Sequence, residues 1–177
     1  MKMAGNPMQS IYLDKVVVNI GIGDNENQFQ NAKLLLEKLT GHKPIAARSR
    51  TRQPELKLRK GQVIGAFVTL RNDDARDMLK RALEANDSII NERGIAGNSF
   101  SFGVKEYIYF PGVKYDPRIG MLGLNVNASF RRKGKRVEIR KRKRSKVSAS
   151  HRVIESASIM DYLKQNFKVS TGEKAEE

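Results

Sequence analysis

The chain has no cysteine among its 177 residues, which excludes a disulfide framework, a thiolate zinc site and a cysteine nucleophile, and agrees with a reducing compartment. Its two histidines, His42 and His151, are too few for a histidine-rich metal cage. No stretch approaches the roughly eighteen consecutive apolar residues of a membrane span, and Met1 to Met8 lacks the apolar core of a secretory signal. A soluble, unexported protein is therefore expected. Acidic residues are also scarce: 19 Asp and Glu face 34 Lys and Arg, leaving a formal charge of +15. What is present suffices for a folded protein. Hydrophobic residues make up 39% of the chain, enough to bury a core, and the length suits one domain spanning 1–177.

The excess charge is confined. From Arg131 to Lys146 eleven basic residues face one acid, Glu138, and from Lys43 to Lys60 seven face one, Glu55, so the remaining 143 residues carry −1 between them. Two basic segments on a near-neutral body are what phosphate backbones attract, because each neutralised phosphate releases condensed counterions. A surplus kept for solubility would be scattered, not packed at +10 into sixteen residues. An anionic membrane surface is disfavoured, since that run offers just Val137 and Ile139 as large apolar groups for insertion.

Leu13 to Ile22 alternate, with Val16, Val18, Ile20 and Ile22 on one face and Lys15, Val17 and Asn19 on the other, the pattern of a half-buried strand. Gly21, Gly23, Asp24 and Asn25 mark a turn, and Phe29, Ala32, Leu35, Leu36 and Leu39 recur at helical spacing up to Gly41. Ile64, Ala66, Val68 and Leu70 alternate with Gly65, Phe67, Thr69 and Arg71 in a second strand. A helix capped by Asp73 or Asp74 follows, with Ala75, Met78, Leu79, Ala82 and Leu83 on its apolar side. Gly94, Gly97 and Gly103 point to loops. Further strands are expected at Val104 to Phe110, with Lys105, Tyr107 and Tyr109 facing the other way, and at Leu122 to Ser129. The turns Phe110-Pro111-Gly112 and Asp116-Pro117-Arg118 lie between them. A last helix begins near Ser156 with Ile159, Met160, Leu163 and Phe167 on one side, and Glu173 to Glu177 reads as a frayed tail.

The expected fold is α+β: an antiparallel β-sheet with helices packed on one face and the other face free. The core spans 10–130, with a basic loop at 43–60, a basic arm at 131–155, a helix at 156–168 and a tail at 169–177. On this register the free face displays Lys15, Asn19, Phe67, Thr69, Arg71, Tyr107, Asn125 and Asn127. Beside two basic arms, such donors, amides and rings suit a folded RNA, which is read by shape, 2′-hydroxyls and splayed bases.

Catalytic signals are weak. Gly21-Ile22-Gly23 follows a strand as a dinucleotide fingerprint would, but Glu26 stands at the third glycine position, and Asp24 and Glu26 would repel a pyrophosphate. Asp73, Asp74 and Asp77 could hold Mg²⁺ for a nuclease, yet capping and the helix dipole account for all three. His42 and His151 each lie beside basic residues, and their sequence neighbourhoods suggest no relay. Gly65 to Leu70 echoes the second half of an RNA-recognition-motif strand without its basic-glycine-aromatic opening; on that alternative Phe67 and Tyr107 would stack on the bases of a single strand. No enzyme, cofactor or metal is expected.

Several stretches together resemble the L5 family of large-subunit ribosomal proteins. They are Asp14-Lys15-Val16-Val17-Val18-Asn19-Ile20-Gly21-Ile22-Gly23, Leu39-Thr40-Gly41-His42-Lys43-Pro44, Leu58-Arg59-Lys60-Gly61 leading to Ile64-Gly65-Ala66 and Val68-Thr69-Leu70-Arg71, then Phe102-Gly103-Val104-Lys105-Glu106, Tyr115-Asp116-Pro117 and Ile119-Gly120-Met121. They occur in the family's order. Lys141 to Lys146 followed by Ala149-Ser150-His151-Arg152-Val153 resembles the C-terminal region of archaeal and eukaryotic members, and without a long eukaryote-like extension an archaeal type is expected.

The resemblance implies partners: 5S rRNA and large-subunit rRNA in the central protuberance, P-site tRNA, neighbouring ribosomal proteins and, across the interface, a small-subunit protein. It implies 5S contacts at Lys15, Asn19, His42, Lys43, Thr69 and Arg71. It implies a tRNA-facing loop, flexible by composition, that offers Arg48, Arg50, Arg52, Lys57, Arg59 and Lys60. Charge adds a large-rRNA arm, unconstrained when free, of Arg131, Arg132, Lys133, Lys135, Arg136, Arg140, Lys141, Arg142, Lys143, Arg144, Lys146, His151 and Arg152. Two departures stand out. Residue 42 is His where the family carries Gln, and the arm is more basic than the family's.

Overall fold

The computed structural model describes residues 6–23 and 26–172. The two clearest alternating stretches become β1 (Ile11–Gly21) and β3 (Val63–Leu70), which pair antiparallel with Val16, Val18 and Ile20 opposite Leu70, Val68 and Ala66. β7 (Leu124–Arg132) takes the other edge of β1 and sets Val126 against Val18 and Ala128 against Val16. β2 (Ile45–Arg48) extends the sheet beyond β3, while β6 (Ser99–Val104) and the short β5 (Ile95–Ala96) extend it beyond β7, giving the antiparallel order β2-β3-β1-β7-β6-β5.

Because side chains alternate across a strand, one parity of residues makes a continuous apolar face. Helices cover that face. α1 (Glu26–Thr40) packs on β3 and α2 (Asn72–Glu84) on β1, burying Leu35, Leu36 and Leu39 from the first and Met78, Leu79 and Leu83 from the second. α5 (Ser156–Phe167) adds Ile159 and Leu163, and its Tyr162 meets Phe130 edge-on with ring centroids 5.5 Å apart. Each such side chain contributes about 1.5–3 kcal/mol of burial, which is why one covered face is enough to hold the other bare. Gly41, at φ +68, ends α1 and donates its N–H to the Glu37 carbonyl, a conformation that favours glycine.

Several expectations are corrected. Arg71, not an aspartate, occupies the N-cap of α2 and no side chain caps it; Asp73 and Asp74 sit in the first turn, where they favour the dipole. The strand expected over Val104 to Phe110 ends at Val104, and Gly103, expected in a loop, lies inside it. Tyr107–Tyr109 is a 3-10 turn that buries Tyr107 completely, its hydroxyl accepting the Asp116 N–H at 2.9 Å, so Tyr107 is absent from the free face. The segment after α5 is not all tail: β8 (Ser170–Thr171) pairs in parallel with β4 (Ile89–Ile90), and Val169 is buried. Asp24 and Asn25 of the expected turn and Glu173 to Glu177 lie outside the described residues.

Candidate nucleic-acid interface

The bare face is laid out in rows by the strand register. One row runs Ile45, Phe67, Asn19, Asn125, Gly103; the next runs Thr69, Val17, Asn127, Ser101; a third runs Lys15, Ser129, Ser99. Ala47, Gly65 and Gly21 make a small-residue row on the side toward β2's end. The surface therefore grades from an apolar corner, where Ile45 is exposed, through a neutral band of amides and hydroxyls, to a basic edge. The amide band lies where the sequence put it. The apolar corner and the serines of β6 and β7 are additions that single-strand periodicity could not assemble, since pairing partners decide them.

Lys15, Asn19 and Thr69 project on this face, and Arg71 follows β3 at its basic edge. Asp14 lies between two guanidiniums there, 3.7 Å from Arg71 and 3.2 Å from Arg131, with its side chain 9% exposed. His42 and Lys43 precede β2 at the same end. His42 Nε2 is 3.2 Å from Asp74 Oδ2, just past Arg71, so one ring nitrogen is engaged and the other is left for a partner. That pairing, with Asp73 beside Arg76 at 3.8 Å, engages two of the three aspartates weighed for Mg²⁺, and among the described residues no metal-holding cluster forms.

The basic segment 43–60 is not simply a loop. Its first part is β2, and 49–62 continues β2 and β3 as an irregular hairpin: Ser49 N–H donates to the Gln62 carbonyl, Gly61 N–H to Ser49, and Gln53 and Leu58 exchange N–H···O bonds at 3.1 Å each. Arg48 donates to the Gly61 carbonyl, whereas Arg50, Arg52, Lys57, Arg59 and Lys60 are exposed on it.

The arm is likewise folded. β7 carries Arg131 and Arg132; a short α3 (Arg136–Ile139) and α4 (Ala149–Arg152) follow, with 140–146 exposed between them. Asn98 stitches α4 to the sheet, donating to the Arg152 carbonyl at 2.6 Å and accepting the Ile154 N–H at 3.0 Å. His151 Nε2 lies 3.2 Å from the Lys133 carbonyl. Glu138, the one acid between Arg131 and Lys146, binds both Lys135 and Arg152. Hydrogen bonding to Lys135, with the added charges of Arg152 and Arg144, holds its carboxyl below the usual range despite desolvation. Asn98 and the positioning role of Glu138 are legible nowhere in the sequence, because their partners lie far along the chain or within a run that reads as uniformly basic.

Between the arm and the basic edge lies a cleft of about 340 Å³ lined by Lys15, Ser99, Ser129, Arg131, Arg132 and His151, among others.

The chain matches the family model for ribosomal protein L5 over residues 6–59 and the model for the C-terminus of the same ribosomal protein family over residues 63–161. It belongs to the ribosomal protein L5 family. Relatives bearing the name large ribosomal subunit protein uL5 include that of Nitrosopumilus maritimus, 40% identical over 93% of this chain and 95% of the relative, and that of Archaeoglobus fulgidus, 41% identical over 89% and 90%. The uL5 of Nanoarchaeum equitans is 41% identical over 84% of this chain and 88% of its own. The expected family and its archaeal affinity are thus both met. Within this L5-family chain the two family matches meet between residues 59 and 63, inside the hairpin, so the bare face is built from both. Among the described residues no helix is long and apolar enough to cross a membrane.

Proposed function

We propose that this chain grips 5S rRNA with the bare sheet face and its basic edge, large-subunit rRNA with the arm, and P-site tRNA with the 49–62 hairpin. As an L5-family protein it is a structural, non-enzymatic constituent of the large ribosomal subunit and works in the cytoplasm as part of the ribosome. The observation that carries the finer reading is where the charge leaves the sheet. The hairpin extends from the end of β2 and β3 beyond Gly65, while Arg131 sits opposite Tyr12, nine residues along β1 from the Gly21–Gly65 pair. At strand rise the two basic segments are about 30 Å apart, with the neutral amide band between them. Phosphate contacts at either end fix position, and Asn19, Thr69, Asn125 and Asn127 offer donors and acceptors to sugar and base edges. Protein neighbours in the central protuberance, and one across the subunit interface, complete the proposed setting of this one-domain chain. Burial of Tyr107 removes half of the stacking pair that a single-strand reader needs.

Titrating 5S rRNA, a tRNA and an unstructured oligonucleotide across salt tests this. Preference for 5S rRNA should survive at high salt, because amide contacts release no counterions. Replacing Asn19 and Thr69 together by Ala should weaken 5S binding about tenfold or more with the salt slope unchanged. Neutralising Arg50, Arg52 and Arg59 should leave 5S binding largely intact and lower tRNA binding. Equal, steeply salt-sensitive binding to all three RNAs would overturn the assignment.

A further inference from the structure

We infer that the cleft between the arm and the basic edge is a preformed site for one extruded RNA nucleotide, whose two flanking phosphates rest on its cationic rim. The inference rests on the RNA-binding reading above and gives it a specific ligand.

Three observations lead there. The first is shape. Cations strung along one strand would follow a straight backbone, but here they come from separate elements: Lys15 from β1, Arg131 and Arg132 from β7, Lys135 from the entry to α3, and Arg152 from α4. They surround about 340 Å³, at the lower end of cavities that hold a small ligand and enough for a single nucleotide. The second is charge. Against those five cations stand two carboxylates, Asp14 at Arg131 and Glu138 at Lys135 and Arg152, leaving a surplus of three positive charges for the phosphates on either side of one nucleoside. The third is an orphaned donor. The Arg132 Nε–H is out of solvent and has no acceptor among the described residues, a cost that is relieved if the side chain turns its Nε–H toward an oxygen bound in the cleft it lines. Ser99 and Ser129 also line the cleft, where a sugar or base edge would sit; the Ser99 hydroxyl donates to the Ala96 carbonyl and keeps its acceptor side for a ligand.

The rim is also held before any ligand arrives. Asn98 fixes the backbone at Arg152 and Ile154, and Glu138 holds Lys135 and Arg152 together. Preorganisation of this kind lowers the ordering cost of binding. Glu138 is thus a positioning residue, and its removal has a signature that charge alone would not give. On Coulomb grounds, Glu138→Gln adds one net positive charge and should tighten any anion; on the cleft's geometry it frees two cations and should weaken the ligand.

The test uses the isotope-labelled full chain and adenosine 3′,5′-bisphosphate, a nucleoside carrying both flanking phosphates, with inorganic phosphate as the comparison. The bisphosphate should bind saturably, about tenfold or more tighter than inorganic phosphate, shifting the amides of Ser99, Ser129, Arg132 and His151. Arg132→Gln should weaken it about tenfold, whereas Lys80→Gln on the far side of α2 removes the same charge and should leave it unchanged. Glu138→Gln should weaken it too. Shifts spread over every basic segment without saturation, or equal binding of inorganic phosphate, would overturn the site; tightening by Glu138→Gln would overturn the positioning role. Measuring 5S rRNA on the same samples separates the two readings. Failure of bisphosphate binding with 5S binding intact removes the cleft alone, and the reverse removes the 5S assignment alone.

Discussion

Leu13 and Val16 both point into the core although they are three residues apart, which an unbroken strand forbids. Asp14 resolves this as the extra residue of a β-bulge against β7, where the register shifts between Leu13 and Lys15. The bulge brings its carboxylate to Arg71 and Arg131. Asp14→Asn should therefore lower stability by about 1 kcal/mol, a modest figure because both arginines remain partly solvated, and should weaken 5S binding despite the added positive charge. Urea unfolding and the salt titration read the two effects; an unchanged midpoint would mean that the pair contributes nothing to folding. At this scale the sequence was partly legible. Lys15, Asn19 and Thr69 were placed correctly by alternation alone. The bulge left one trace, the Leu13 to Val16 spacing, and Tyr107 was misplaced because Val104, Ile108 and Phe110 imitate a strand, while the residues buried beyond Val104, namely Tyr107 and Phe110, have the spacing of a 3-10 turn.

Among the elements, β3 depends on a glycine that looks dispensable in a strand. A Cβ on Gly65 would fall 2.5 Å from the Ile20 carbonyl oxygen, a backbone atom of β1 that can yield only by parting the ladder. Gly65→Ala should cost about 2 kcal/mol, visible as a lowered melting temperature. Helices and long strands were readable because their apolar periods are local. The order within the hairpin was not, since the Gln53–Leu58 bridge is a matter of backbone geometry that an Arg-rich, Pro-containing stretch does not advertise. The arm shows the same limit, and it carries a pH signature. Glu138 ionises more readily folded than unfolded, so its contribution is complete above its ordinary value of 4.5 and is lost as pH falls below that through the lower folded value. Amide shifts of 135–152 should move as pH falls below 4.5 while those of α2's buried side stay fixed, and Glu138→Gln should abolish that movement.

For the molecule as a whole, two positive poles flank a neutral face. Their separation of about 30 Å exceeds the screening length of about 8 Å at physiological salt, so they act independently. Neutralising hairpin arginines should reduce the salt slope for tRNA and neutralising arm arginines that for large-subunit rRNA, each by the same amount in the combined variant as alone; a change in either would show that the poles are coupled. The topology bears on how the chain is made. β1 lies between β3 and β7, yet 102 residues separate Gly21 from Leu124. At ordinary elongation rates β3 can join β1 soon after it emerges, while the opposite edge of β1 waits about five to twenty seconds for its partner. During that interval the nascent chain presents an unpaired strand edge beside a half-covered apolar face, the very geometry on which neighbouring chains add strands. Translation of this protein is therefore safest where something shields that edge until Arg132 has left the exit tunnel.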